Sequence, residues 1–155
     1  MEWRREYVIQ RYEQLAKSLR VCQPISFDGV SKTSPSVSSK HALWAISHAV
    51  AKGDEAAIKI AKQFVLADVY FHYSGFIRAT MARRLKSANL SLHDREELRE
   101  GLYKLFYSGQ FGPEYKEFCR LLRRIGLGHM KEKYKELGNM GGKQVKLLNY
   151  LTAAT

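Results

Sequence analysis

Residues 54–88 read DEAAIKIAKQFVLADVYFHYSGFIRATMARRLKSA, and this stretch decides the fold class. Asp54 stands where a side-chain oxygen can cap a helix N-terminus. Behind it Ala57, Ile60, Ala61, Phe64, Ala67 and Phe71 recur at the helical period and line one side of a helix. Val65, Leu66, Val69 and Tyr70 fill much of the remaining circumference, which predicts a central helix rather than a surface one. Ser74-Gly75 marks a break or a kink, with a continuous helix to residue 88 as the alternative. Past it, Ile77, Met81, Leu85 and Ala88 form a second stripe. Two helices in immediate succession make a helical hairpin, and no strand-like alternation interrupts them.

The pattern repeats downstream. Ser91, with Asp94 three places later, forms a capping box with Asp in place of Glu. It opens a helix over 92–108 with Leu98, Leu102, Leu105 and Phe106 inward, ended by Gly109 and Gly112. Pro113 occupies a first-turn position. Tyr115, Phe118, Cys119, Leu122 and Ile125 define the next helix, which Gly126 closes. Shorter helices are expected over 129–137 and 143–153.

Upstream, Val8, Tyr12, Leu15 and Leu19 set the inward face of a helix over 2–21. Trp3 and Tyr7 fall on its other side, to be covered by the rest of the domain or by another chain, which leaves the oligomeric state open. Residues 22–40 hold Pro24, Gly29, Pro35, Ser31, Ser34, Ser36, Ser38 and Ser39, and read as a loop or linker. Ser39 is then expected to cap a helix over 40–52. The expectation is one all-α domain over 1–155 with about six to seven helices.

The expected first helices begin after Asp54, Ser91 and Gly128, each thirty-seven residues beyond the last, and the second helices carry Arg83-Arg84 and Arg123-Arg124, forty residues apart. Such periods belong to helix-pair solenoids. On these residues the chain over 54–127 resembles HEAT-like α-helical repeats. The resemblance implies a short solenoid presenting a binding surface. A compact bundle of the same hairpins is the alternative architecture.

Twenty-six Lys and Arg against fifteen Asp and Glu give a net charge of +11. That sign favours nucleic acid, an anionic membrane or an acidic protein surface as partner. The excess is spread along the chain without a basic tail, so any electropositive patch must be assembled by folding. Cys22 and Cys119 are too few for a disulfide scaffold and lack metal-site spacing. No apolar run follows the charged N-terminus, and no stretch approaches the roughly 20 apolar residues of a membrane span. A reducing, cytoplasmic setting without membrane insertion is expected.

Lys116, Arg120, Arg123 and Arg124 project opposite the Tyr115/Phe118/Leu122 stripe, and arginines so placed can grip carboxylate or phosphate bidentately. A solvated face with Glu117 as intrahelical partner is the plainer reading. Arg83 also points away from its own apolar stripe. Arg84 lies at the edge of that stripe and requires a carboxylate, so an Arg84–Asp68 or Arg78–Asp68 ion pair is expected. Asp68 with His72, and His41 with His48, share helical faces but lack a third ligand, so no metal is expected. No phosphate loop or catalytic constellation is visible, hence no cofactor and no enzymatic activity.

Gly126-Leu127-Gly128, followed by Lys131, resembles the Gly-hydrophobic-Gly turn of helix-hairpin-helix DNA-binding motifs. That resemblance implies turn amides at a phosphate with Lys131 facing it. Ile125 stands where that family has proline, and two helix-ending glycines would leave the same residues. The functional expectation is a non-catalytic module whose Lys116/Arg120/Arg123/Arg124 face binds an acidic protein surface. Nucleic acid bound by the same face and the turn is the alternative.

Overall fold

A computed structural model describes residues 3–27, 35–67, 74–109 and 114–152. Among them are eight α-helices and no strand: α1 (Arg5–Ser18), α2 (Pro35–Ala51), α3 (Glu55–Leu66), α4 (Ser74–Lys86), α5 (Leu92–Tyr107), α6 (Tyr115–Ile125), α7 (Lys131–Gly138) and α8 (Lys143–Thr152). A 3-10 turn, Gly128–Met130, leads into α7. Eight helices exceed the six to seven expected, and the break expected at Ser74-Gly75 comes earlier, since Ser74 and Gly75 belong to the first turn of α4. Ala67 closes α3 in extended backbone (φ −77°, ψ 143°), so α4 is a separate helix.

The helix starts follow from local chemistry. Asp54 accepts the Ala57 N–H at 3.0 Å, satisfying a first-turn donor that has no intrahelical partner. Ser91 and Asp94 complete their capping box with bonds of 3.1 and 3.3 Å. The start of α2 differs from expectation. It begins at Pro35, and Ser39, the expected cap, is a buried residue within the helix. A first-turn proline explains this, because its φ is preset for a helix and the N–H it lacks would have had no partner. Residues 28–34, the middle of the expected loop, lie outside the described residues, as does Pro113.

Every substantial helix–helix contact among the described residues joins a helix to the next in sequence or the next but one. The result is a two-layer array. α1, α3, α5 and α7 form the odd layer, and α2, α4, α6 and α8 form the even layer. Quasi-one-dimensional contact of this kind marks stacked hairpins. α2, α4 and α6 approach one another more closely than α1, α3 and α5 do.

The core lies between the layers, and α3 is its centre as its all-round apolarity predicts. Ala56, Ala57, Ile58, Ile60, Ala61, Phe64 and Val65 are all buried. They meet Ile77, Met81 and Leu85 of α4 and Leu98, Leu102 and Phe106 of α5 within one apolar cluster. Full burial of each Val, Ile, Leu, Met or Phe among them contributes about 1.5–3 kcal/mol. Trp3 turns inward, its ring 5.0 Å from that of Phe64 and edge-on to it. The aromatic side of α1 is thus covered by α3 of the same chain. Tyr12 is buried; its hydroxyl donates to Asp54 and accepts the Ile25 N–H at 2.9 Å. Burial, then the bond to Asp54, push this phenol up to about 12.

Candidate binding face

Layering sorts a charge that the sequence spreads evenly. α2, α4, α6 and α8 together carry eleven Lys and Arg and a single acid, Glu117, whereas α1, α3, α5 and α7 carry eleven against nine. Successive helices alternate between layers, so the difference is invisible to any count made over contiguous segments.

In the odd layer acids and bases are mixed, and a buried group of them pairs across helices. Asp94 accepts from Lys59 at 2.6 Å and Lys62 at 2.9 Å, and Lys62 also reaches Glu97 at 3.0 Å. Burial alone would raise the Asp94 carboxyl; hydrogen bonds from Lys59, Lys62 and Ser91 outweigh it and hold the group well below the usual carboxylate range. Lys62 is itself buried, so this cluster ties α3 to α5 through the layer.

The even layer holds an interior pair. Arg78 is buried, 3.3 Å from Glu114 and 3.3 Å from the Phe64 carbonyl oxygen, its guanidinium 5.2 Å above the Phe64 ring. Arg84 donates to the Ser47 hydroxyl at 3.1 Å and lies 3.3 Å from His48 Nδ1. The expected partner, Asp68, lies outside the described residues, and so does His72. A core arginine takes the carboxylate nearest in space, and the close packing of α6 on α4 supplies Glu114 from thirty-six residues away.

Five of the six expected binding residues come together. Arg83 of α4 and Lys116, Arg120, Arg123 and Arg124 of α6 are exposed on adjacent helices of the even layer. Glu117 lies between the two helices, 2.6 Å from Arg120 and 3.7 Å from Arg83, its side chain only 10% exposed. Its Oε2 is buried and has no hydrogen-bond partner among the described residues. The Arg123 guanidinium stacks 4.6 Å from the Tyr150 ring centroid on α8. Lys116 and Arg124 have no side-chain partner among the described residues. Lys146 on α8 is exposed too and extends the face, a residue the sequence reading missed. The sixth expected residue, Lys131, belongs to α7 in the odd layer.

The Gly126-Leu127-Gly128 turn is engaged internally. Gly126 (φ 80°) caps α6, its N–H bonded to the Leu122 carbonyl at 2.8 Å. Arg99 of α5 donates to the carbonyls of Gly126 at 2.7 Å and Ile125 at 2.8 Å. A cation there suits the negative end of the helix dipole. Gly128 (φ 54°) lies against the same guanidinium, which a Cβ would approach to 3.0 Å. Arg99 thus holds the carbonyl side of the turn, and the glycines make room for it.

Two further groupings come from residues distant in sequence. Glu96 and Glu100 of α5 and His129 of the turn place three ligand-type atoms within 4.8 Å of one another. Glu96 is already paired with Arg99 at 2.5 Å and with His129 at 3.2 Å, which makes this a solvated charge network. An open groove of about 940 Å³ runs between residues 19–26 and the α2–α3 corner, with Cys22, His48, Lys52 and Asp54 in its walls. Asp54 is engaged as helix cap and Tyr12 acceptor. No helix among the described residues is long and apolar enough to cross a membrane. The chain matches no protein-family model, no curated protein and no solved structure.

Proposed function

We propose that this protein is a non-catalytic, HEAT-like interaction module whose even layer docks on an anionic macromolecular surface, an acidic protein or nucleic acid. The observation that carries the reading is the charge sorting, eleven cations to one acid on four helices of a single layer, with only Arg78 of the eleven sunk in the interior beside Glu114 among the described residues. Structural ion pairing needs both signs, as the odd layer illustrates. A single-sign field maintained across stacked helices stores self-repulsion that an anionic partner relieves. Arg83, Lys116, Arg120, Arg123 and Arg124 are its anchors. We place the protein in the cytoplasm, where its two free cysteines are kept reduced.

Binding to fluorescent polyglutamate at low salt tests this. The Lys116→Ala/Arg120→Ala/Arg124→Ala variant should bind at least about tenfold more weakly, each charge contact contributing on the order of 1 kcal/mol at low ionic strength. A Lys131→Ala/Lys133→Ala/Lys135→Ala variant carries the same net charge and should bind nearly as wild type. Equal losses from both would reduce the effect to net charge and sink the proposal.

A further inference from the structure

Taking that reading of the even layer as its basis, we infer that the occupant is the phosphate backbone of a nucleic-acid duplex, bound without regard to sequence.

Three observations select it. The first is the uniformity of the face. Its one acid, Glu117, is sunk between α4 and α6 and occupied by Arg120 and Arg83, so a ligand meets cations only. Protein surfaces mix both signs, and complementary interfaces reflect that mixture. A duplex backbone is uniformly negative and accepts a uniformly positive face.

The second is the scarcity of apolar anchors. Stable protein–protein contacts centre on buried aromatic or aliphatic side chains ringed by polar ones. The exposed large apolar residues among those described are Phe76, Leu92, Tyr107 and Met140, and only Phe76 stands on an even-layer helix. The same scarcity disfavours a single strand, whose sequence-tolerant binding needs aromatic platforms for successive bases.

The third is span. Packed helices lie about 8–10 Å apart, so four in a row extend the layer over about 25–30 Å, the rise of about eight base pairs. Arg83, Lys116, Arg120 and Arg124 sit near the middle of that span. Arginine forks there match phosphate oxygens bidentately. Glu117 has a positioning part, holding Arg83 and Arg120 side by side on neighbouring helices.

DNA and RNA duplexes share this chemistry and are separated by the test. Fluorescence anisotropy of the full chain would be measured with mixed-sequence duplex DNA, duplex RNA, single-stranded DNA and polyglutamate, at about 50 and about 200 mM salt. With about four phosphates neutralised, log K against log salt should slope near −3.6, about a hundredfold loss across that range. Lys116→Ala/Arg124→Ala should reduce the slope by about 1.8, whereas Lys131→Ala/Lys133→Ala should leave it unchanged. Neither pair has a side-chain partner among the described residues, so both variants should keep the native circular dichroism spectrum.

Duplex binding tighter than polyglutamate, with those slopes, supports the inference, and the stronger of the two duplexes names the source. Polyglutamate bound as tightly as duplex, with loss in the α6 variant, overturns it and leaves the module reading standing with an acidic protein as partner. A single strand bound more tightly than either duplex also overturns it. Failure to bind either polymer at low salt removes both proposals.

Discussion

The two layers carry equal numbers of helical Lys and Arg and differ in the acids that stand among them, nine against one. In the odd layer five of the eleven cations reach an acid among the described residues: Arg5 at Glu6, Lys59 and Lys62 at Asp94, Arg99 at Glu96 and Lys135 at Glu132. In the even layer Glu117 serves both Arg83 and Arg120, while Lys116 and Arg124 reach no acid among the described residues. A buried charge paired inside the fold, as Lys62 is, offers little to a partner, whereas Arg83 and Arg120 share one carboxylate oxygen and keep further guanidinium donors exposed. A charge left solvated costs the fold little and is available for binding. Stability electrostatics and binding electrostatics are therefore separable here, and mutations should separate them.

The largest effect belongs to the odd layer. Asp94→Asn removes the negative charge shared by Lys59 and Lys62 and leaves one amide oxygen to serve either these lysines or the Ser91 N–H, so that Glu97 is the acid left to Lys62 among the described residues. Breaking a buried pair from one side costs about 3 kcal/mol or more, roughly 10 °C in melting temperature for a chain of this size. The pH dependence carries a sign. The Asp94 carboxyl is held low in the folded state, so its contribution is present above the ordinary value near 3.9 and is lost as pH falls toward the depressed one. Wild-type stability should fall in that acid window, with a shallower slope in the variant. A cost below about 1 kcal/mol would show that Glu97 suffices and that the odd layer is not held by this cluster.

Next comes Tyr12→Phe, which deprives Asp54 of a donor and the Ile25 N–H of an acceptor. About 1–2 kcal/mol should be lost by chemical denaturation. The folded phenol is raised to about 12, so its contribution is complete below pH 10 and disappears as pH rises through 10 to 12. Tyr12→Phe should remove that alkaline decline, and its persistence would assign the decline to other groups.

What the sequence made legible was local. Asp54, Ser91 and Asp94 announce helix starts because a cap depends on residues three positions apart. The apolar circumference of α3 announces its central place for the same kind of reason. The site was half legible. Arg83, Arg120 and Arg124 could be read as outward-facing from helical phase alone. That they share one layer, and that α7 with Lys131 does not, depends on which helices stack, which no local period encodes. The Arg78–Glu114 pair, the Lys62–Asp94–Glu97 cluster and the Arg99 clamp on the 126–128 turn span 27 to 36 residues. They were out of reach for the same reason. Ser39 misled because a serine near a helix start is a generic cap, whereas Pro35 gives the earlier start.

A smaller effect of opposite sign is expected at the end of α1. Arg20 has φ 55°, and the Val21 N–H bonds the Ala16 carbonyl at 2.9 Å while the Arg20 N–H bonds that of Lys17 at 3.3 Å. This is a Schellman closure with arginine where glycine is favoured. Arg20→Gly should stabilise the protein by about 0.5–1 kcal/mol, since a left-handed backbone strains a residue with a Cβ. An unchanged or lower melting temperature would mean that the Arg20 side chain makes contacts worth as much as the strain.

The smallest expected change is the sharpest test of the contrast between the layers. Lys116→Ala/Arg124→Ala deletes two exposed cations of α6 that have no partner among the described residues, and alanine is the better helix former. Stability should shift by less than about 0.5 kcal/mol. The shift should be upward if repulsion from Arg120 and Arg123 outweighs lost side-chain packing, and added salt should shrink it as screening replaces the mutation. Thermal denaturation at low and high salt measures both. If the variant instead lost more than about 1 kcal/mol, these cations would be supporting the fold, and the even layer would differ from the odd one only in having its partners hidden. If stability holds while polyanion binding collapses, the two cations are unused by the folded chain and engaged only by its partner.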